Sequence, residues 1–277
     1  MTLPSLPLAG VIGNPIAQSR SPRMHRHWLG RYGLTGDYVP LEVKEANFEE
    51  VVRTLPKMGF VGANVTIPHK TAALRVADQQ SDRAVVIGAA NTLIFRTDGT
   101  IYADNTDAYG FLENLRQGAP GWAARSGPAL ILGAGGAARA IIVALADAGV
   151  PKILLSNRTR AKADALRAEF GSRIEVVDWV QAGEALQDAV LLVNTTSLGM
   201  TGQPELKINL DGLRPRTVVN DIVYAPLETS LLRVARARGC TAVDGLGMLL
   251  HQGVPGFERW FGRRPEVDEE LRQAVLG

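Results

Sequence analysis

The run Ala129-Leu-Ile-Leu-Gly-Ala-Gly-Gly-Ala-Ala-Arg-Ala140 restricts what this chain can fold into more than any other stretch. Its apolar residues up to Leu132 read as a buried parallel strand. Glycines follow at 133, 135 and 136, and then a small-residue, helix-favouring segment runs to Gly149. Strand, glycine turn and helix in that order form a dinucleotide fingerprint, with Gly133, Gly135 and Ala138 in its three places. The first place needs a tight turn, the second a backbone that approaches a pyrophosphate, and the third close packing of helix on strand. The anion sits at the helix N-terminus, where unpaired N–H groups and the helix dipole favour negative charge. A plain βα turn would show the same glycines, but the strand before and the helix after favour the nucleotide reading.

Composition narrows the classes. The 277 residues suffice for two domains, and a net charge of +2 gives no reason to expect nucleic acid or an anionic membrane as partner. The single cysteine, Cys240, excludes an internal disulfide framework and any multi-cysteine metal site. No His/Asp/Glu cluster has metal-ligand spacing, so no metal is expected, and no serine has a nucleophile-elbow setting. The opening MTLPSLPLAGVIG carries no basic n-region, and no apolar run nears the roughly 18 residues of a membrane span. A cytoplasmic protein acting on a small molecule is the expectation.

Taken in order, Leu8–Ile12 reads as a strand, and Ser21 as the N-cap of a helix to about Tyr32 with Pro22 at its first position. Ser19 and Ser21 at such a helix start could hold a carboxylate, though local evidence favours the plainer reading in which Ser21 caps the helix and Ser19 is solvated. Tyr38–Val43 is a second strand, Glu45–Met58 a second helix and Phe60–Thr66 a third strand, after which Pro68 opens a third helix. Asn64, Thr66 and Lys70 therefore fall at a strand's carboxyl end and a helix's first turn, where open α/β sheets place ligands. His69 reads as a packing residue. Asn91–Arg96 and Thr100–Asp104 form a hairpin turning at Asp98-Gly99, and Asp107 precedes a helix from about Ala108 to Gln117. Ile153–Ser156 is the second strand of the nucleotide unit. An NAD enzyme would carry an acidic residue near its end; this chain has Asn157, Arg158, Thr159, Arg160 and Lys162 instead. An arginine pairs with a 2′-phosphate, which favours NADP(H). Strands at Val190–Asn194, Val218–Ile222 and around Thr241–Val243 continue the doubly wound pattern, with a helix over Thr229–Arg238. The helix following Asp244 and a last one over Pro265 to about Val275 leave the alternation. Residues 1–106, completed by 242–277, are expected to form one domain and 107–241 the other.

Together these segments resemble the shikimate dehydrogenase family over essentially the whole chain. The matching stretches are GNPIAQSRSPRMH (13–25), NVTIPHK (64–70), GAANTL (88–93), DNTDAYG (104–110), GAGGAARA (133–140), NRT (157–159), NTTSLGM (194–200), DIVY (221–224) and DGLGMLLHQ (244–252). The resemblance implies an open α/β substrate domain, a Rossmann-like doubly wound NADP-binding domain, and reversible NADP-dependent reduction of 3-dehydroshikimate to shikimate in aromatic amino-acid biosynthesis. It implies Lys70 and Asp107 as catalytic residues flanking the reacting oxygen. Ser19 and Ser21, with Tyr224, would hold the substrate carboxylate, and Asn64, Thr66, Asn91 and Gln252 would complete the substrate site. On the cofactor side the 133–138 loop (Gly133, Ala134, Gly135, Gly136, Ala137 and Ala138) would cradle the pyrophosphate. Asn157, Arg158, Thr159 and Lys162 would surround the 2′-phosphate, and Thr195, Ile222, Gly245 and Met248 would border the nicotinamide and its ribose. Gln18 and Arg26 depart from the family's usual His and Asn.

The chemistry suits these residue types, because hydride arriving at a ketone builds charge on oxygen that a neighbouring cation or proton donor stabilises. Lys70 supplies that group and Asp107 its counter-charge. Two alternatives stay open: a relative using quinate as well as shikimate, and a catalytically idle NADP-sensing protein on the same scaffold. The chain is expected to act as a monomer or homodimer.

Overall fold

In a computed structural model the described residues are 6–277; the first five residues of the N-terminal stretch read above lie outside them. Two compact units emerge, one running to Asp107 and resuming over Leu249–Gly277, the other spanning Ala108–Met248.

The first unit holds β1 (Leu8–Gly13), α1 (Ser21–Arg31), β2 (Asp37–Glu42), α2 (Phe48–Thr54), β3 (Phe60–Val65), α3 (Lys70–Val76), β4 (Gln79–Gln80), α4 (Asp82–Ile87), β5 (Thr92–Phe95) and β6 (Ile101–Asp104). Its sheet runs β2-β1-β3-β5-β6-β4. β1 is parallel to both β2 and β3, whereas β5 is antiparallel to β3 and β6. The chain passes from β1 to β2 on one side and then to β3 on the other. The carboxyl ends of β1 and β3 therefore flank a switch point, the place where open sheets bind ligands. Both faces of β1 are covered. Ile12 packs with Phe48, Val52 and Val65, while Ala9 and Val11 pack with Tyr38 and Trp260. That double burial explains why β1 reads as a continuous apolar run rather than an alternating one.

The second unit takes α5 (Asp107–Gly118) beyond its first residue, then β7 (Ala129–Leu132), α6 (Gly136–Ala148), β8 (Ile153–Ser156), α7 (Arg160–Phe170), β9 (Ile174–Val177), α8 (Ala182–Ala185), β10 (Leu191–Asn194), β11 (Val218–Asp221), α9 (Ser230–Ala237) and β12 (Thr241–Val243). All six strands are parallel in the order β12-β11-β10-β7-β8-β9, a doubly wound sheet whose switch point lies between β7 and β10. The chain closes with α10 (Leu246–Phe261) and α11 (Glu269–Leu276). Within the first unit the buried Trp28 indole donates to Glu266 O at 2.9 Å, Arg31 pairs with Asp268, and Trp260 Nε1 donates to Leu93 O at 3.1 Å. These bonds fasten the C-terminal segment to α1 and the sheet.

Local details depart from the sequence reading in four places. The expected helix over Glu45–Met58 is α2 flanked by 3₁₀ turns at Glu45–Asn47 and Leu55–Met58, because Pro56 has no N–H for a continuing α-helix. Pro68 does not open a helix: His69 N donates to Thr66 O at 2.9 Å, a turn that delays α3 to Lys70. Ser21 is not the N-cap of α1 but its first residue. Arg20 occupies the cap position but its side chain does not cap the helix, and Ser19 Oγ accepts from Ser21 N at 3.3 Å. The last helix begins at Glu269 rather than Pro265, since Asp268 caps it by accepting from Leu271 N. Segments 77–90 and 161–189, which the strand–helix reading left unassigned, carry β4, α4, most of α7, β9 and α8.

Candidate active site

Lys70 begins α3 directly after the turn that ends β3. The preceding His69 is buried, contacts Val43 O through Nε2 at 2.7 Å and stacks on Phe48 at 4.6 Å. It anchors the start of α3 and leaves the charged work to its neighbour. Lys70 Nζ donates to Asp107 Oδ2 at 2.5 Å, and the two side chains are 24% and 10% exposed. The pair is thus mostly sheltered from water, where Coulombic attraction outweighs that of a surface pair. Asp107 sits at the first residue of α5, whose dipole favours a negative charge there. Its second oxygen accepts from Asn91 Nδ2 at 2.8 Å, and its N–H donates to Asn105 Oδ1 at 3.0 Å. Both carboxylate oxygens are therefore held, and Lys70 is aimed by the one nearer to it.

A buried cluster of amides and hydroxyls supports that pair. Asn64 Oδ1 accepts from Tyr38 OH at 2.7 Å, while Asn64 Nδ2 donates to Asn91 O and Thr92 Oγ1, both at 3.1 Å. Asn91 Oδ1 accepts from Thr106 N at 2.8 Å and Thr92 Oγ1 at 3.0 Å. Asn91 Nδ2 has three acceptors for its two hydrogens: Asp107 Oδ1, Thr106 Oγ1 at 3.0 Å and Gln252 Oε1 at 3.2 Å. Gln252 Nε2 is tied back to Leu249 O at 3.0 Å. Asn64, Asn91, Lys70, Asp107 and Gln252 thus meet in one network. Thr66 stands half-buried just past β3, close enough to β1 that a Cβ on Gly13 would come 2.6 Å from its methyl. Ser21 is buried at the start of α1 and Ser19 half-buried beside it, whereas Tyr224 lies in the second unit after β11.

The residues that sequence reasoning missed here are Tyr38, Thr92, Asn105 and Thr106, which look like ordinary strand or loop positions until the sheet brings them together. His25 is also notable. Fully buried, it stacks on Tyr38 at 3.9 Å with ring planes 3° apart, and burial pushes its imidazole down to about 3. It is a neutral packing ring. Of the two departures from the family pattern, Gln18 is exposed and Arg26 bonds to Asp37 Oδ1 at 2.8 Å. That guanidinium holds the Asp37 carboxyl below the usual range and ties α1 to the start of β2.

The second unit presents a cradle at its own switch point. Gly133 has φ +109, and a Cβ there would lie 2.5 Å from Thr195 Oγ1, so both backbone and space demand glycine. Thr195 Oγ1 donates to Leu132 O at 2.7 Å, locking the exit of β10 against the end of β7. By contrast a Cβ on Gly135 or Gly136 would meet nothing within 4 Å, and α6 has no side-chain cap. The start of α6 is therefore uncrowded and uncapped by a side chain, as an anion site at a helix N-terminus requires, with Ala134 and Ala137 half-buried nearby and Ala138 fully buried. At the end of β8, Asn157 Nδ2 donates to Thr159 O at 2.8 Å, and Arg158, Thr159 and Lys162 are exposed. Arg160 is engaged with Asp164 and Asp178, whereas Arg158 has no ion pair among the described residues. The cations left for a phosphate are Arg158 and Lys162.

The floor near Thr195 and Ile222 is organised by a residue the sequence reading did not single out. Asp221, fully buried, accepts from Asn194 Nδ2 at 3.0 Å, Val223 N at 3.1 Å and Thr229 Oγ1 at 2.8 Å. Burial pushes its carboxyl up to about 6 against those three bonds. Gly245 lies so close to this segment that a Cβ would come 2.1 Å from Ile222 O, and Met248 is buried one helical turn further along. The glycine cradle, its neighbouring cations and this floor fit a phosphorylated dinucleotide. Among the described residues no group of three or more His, Cys, Asp or Glu is placed to hold a metal, and no helix is long and apolar enough to cross a membrane.

Sheet, cradle and ammonium–carboxylate pair are the parts of the dinucleotide-dependent α/β oxidoreductases, and comparison with known proteins narrows that class. Three family models match: the shikimate dehydrogenase substrate binding domain over residues 11–93, shikimate/quinate 5-dehydrogenase over 122–201 and the shikimate 5'-dehydrogenase C-terminal domain over 245–276. A shikimate dehydrogenase (NADP+) of Roseobacter denitrificans is 65% identical over 100% of both chains. The crystal structure of shikimate 5-dehydrogenase from Thermus thermophilus in complex with NADP(H) and shikimate is 37% identical, covers 98% of each chain and superposes with a TM-score of 0.87. A quinate dehydrogenase from Corynebacterium glutamicum in complex with NAD is 31% identical over 98% of each chain, with a TM-score of 0.90. The chain belongs to the shikimate dehydrogenase family.

Proposed function

We propose that the chain catalyses the reversible NADP-dependent reduction of 3-dehydroshikimate to shikimate, with Lys70 and Asp107 as the catalytic pair. The observation that carries this is the 2.5 Å Lys70–Asp107 ion pair, braced by Asn91 at the switch point of the first sheet. When bound in the 133–138 cradle, NADPH supplies the hydride. Charge building on the carbonyl oxygen is stabilised by the Lys70 ammonium, which also donates the proton that completes the alcohol. Asp107 orients Lys70 and accepts from a substrate hydroxyl. Ser19 and Ser21 hold the carboxylate, and Asn64, Thr66, Asn91 and Gln252 recognise the ring hydroxyls. The unit reaching Asp107 carries the substrate, and the 108–248 unit carries NADP, whose 2′-phosphate meets Asn157, Arg158, Thr159 and Lys162. A near-neutral net charge suits a cytoplasmic enzyme for a small molecule, monomeric or homodimeric, better than a nucleic-acid or membrane partner.

The alternatives gain less. The NAD-bound quinate enzyme superposes as well as the shikimate enzyme does, so the fold does not separate them. Arg158, standing where an NAD enzyme would carry an acid, and the 65% identical NADP relative favour the shikimate–NADP reading. A sensor without catalysis needs no ammonium poised beside a carboxylate. The test follows absorbance at the NADPH band for shikimate and quinate, each with NADP and NAD. The highest kcat/KM is expected for shikimate with NADP. A preference for quinate or NAD, or no turnover with any pair, overturns the reading.

A further inference from the structure

Lys70 and Asp107 meet through their side chains, but a second, separate route of hydrogen bonds joins their backbones. It runs through the segment 88–91, between α4 and β5. Ala90 N donates to Lys70 O at 2.9 Å, at the first residue of α3. Ala89 O accepts from Asn105 Nδ2 at 2.9 Å, and Asn105 Oδ1 accepts from Asp107 N at 3.0 Å. The 2.5 Å bond from Lys70 Nζ to Asp107 Oδ2 closes the ring. Ala89, Ala90 and Asn105 are all buried, so water does not compete for these bonds. Within the backbone route Asn105 supplies the only link made by a side chain, and an amide suits it because one end accepts while the other donates. Flipped, it would set an N–H against Asp107 N–H and an oxygen against Ala89 O, so its partners fix its orientation. Its main chain is pinned as well: Asn105 N donates to Asp104 Oδ1 at 2.7 Å, an oxygen that also accepts from Ser81 Oγ at 2.6 Å.

We infer that Asn105 is a positioning residue for the reaction: it sets where the Asp107 backbone stands relative to the start of α3, and so where the Lys70 ammonium is aimed. Lysine's flexible four-carbon stem leaves Nζ free to swing, whereas the short aspartate side chain keeps its carboxylate close to its own backbone. Asn91 Nδ2 holds one carboxylate oxygen, and the backbone beneath is held by Asn105. With both ties in place the carboxylate has one position and Lys70 has one target. Without the tie to Ala89, Asp107 drifts and Lys70 follows it away from the reacting oxygen. A misplacement of about 1 Å can cost on the order of 10²-fold in rate. This role rests on the proposed reading of Lys70 and Asp107 as the catalytic pair.

The experiment begins with the wild-type protein turning over shikimate with NADP; if it does not, the functional reading fails first and this role with it. Given that activity, Asn105→Ser keeps an oxygen that can accept from Asp107 N, as serine turns do, but is too short to reach Ala89 O. The expected result is a kcat lowered about 10- to 100-fold, with KM for shikimate and for NADP within about twofold of the wild type. A role confined to capping the start of α5 would leave kcat near the wild-type value, because serine caps too. That outcome overturns the proposal, and so does a loss that falls on KM alone. In Lys70→Ala no ammonium is left to aim, so adding Asn105→Ser is expected to lower the residual kcat by less than about threefold. A full further loss there means that Asn105 acts by another route, and overturns the proposal too. A last measurement does not depend on any variant folding. In 15N-labelled wild-type protein the Asn105 side-chain amide is expected to exchange slowly with solvent, both free and saturated with shikimate and NADP. Fast exchange in the saturated protein would mean that the bond to Ala89 O is absent where the role needs it, and overturns the proposal.

Discussion

Replacing Asp221 by asparagine tests whether the floor of the nucleotide cradle stores an electrostatic cost. Burial lifts this carboxyl from 3.8 to about 6, despite bonds from Asn194, Val223 and Thr229. A shift of roughly two units at about 1.36 kcal/mol each means that the ionised folded state carries a cost of about 3 kcal/mol. The direction follows from proton binding. Between the unfolded and folded values the folded protein binds more protons, so the contribution to stability is present below about pH 4 and is lost as pH rises through about 6. The amide in the Asp221→Asn variant does not titrate. The stability of the variant relative to the parent should therefore improve with pH, with roughly half of the 3 kcal/mol gained between about pH 5 and pH 8. A fixed offset is expected as well, because an amide presents a donor where the carboxylate accepted from Thr229. His25 runs the opposite way: its folded value of about 3 gives stability that is present above 6.5 and lost as pH falls. Both proteins share it, so it cancels in the difference. Hydrogen exchange of amides in β10 and β11, corrected for intrinsic rates, reads the opening of this sheet without requiring both units to unfold together. A difference that is flat across this range, or that grows in the parent's favour with pH, refutes the reasoning.

Three further outcomes follow from the geometry. Lys70→Ala removes the ammonium and leaves Asp107 with Asn91 alone, so kcat for shikimate oxidation should fall by about 10²-fold or more; near-normal turnover by a folded variant would exclude Lys70 from the chemistry. Arg158→Ala should raise KM for NADP by roughly tenfold or more, the worth of a charge-assisted bond, while leaving KM for shikimate and the kinetics with NAD unaltered; an unchanged KM for NADP would place the 2′-phosphate elsewhere. Gly62→Ala puts a Cβ 1.9 Å from Trp260 Nε1 and 2.4 Å from Leu93 O. Overpacking of that kind costs about 1–3 kcal/mol, and calorimetry should show a midpoint lowered by several degrees; an unmoved midpoint would mean that this packing relaxes freely.

What could be read from the chain alone was what a short segment must satisfy by itself. The strand–glycine–helix run at 129–140 is a local demand on backbone geometry, and Gly133, at φ +109 against Thr195, shows why no other residue serves there. The parallel, doubly wound second sheet followed from apolar runs alternating with helical ones, because such strands are buried on both faces. The motifs from 13 to 252 carried the family likeness. Helix starts were less legible: one backbone turn at Thr66–His69 displaced the start of α3 from Pro68 to Lys70, and an acceptor at Asp268 delayed α11.

The tertiary structure alone decided who meets whom. Lys70 and Asp107 lie 37 residues apart, and each by itself is an ordinary charge at a helix start. They meet because β5 folds back against β3 and β6 against β5, which carries Asn91 and Asp107 to the end of the strand that launches Lys70. Tyr38 looked like a strand aromatic and Asp221 like a strand-end acid until parallel pairing set them against Asn64 and Asn194. A sequence specifies a segment through its own sterics and hydrogen bonds, whereas contacts between segments depend on sheet order and burial, and those belong to the whole chain.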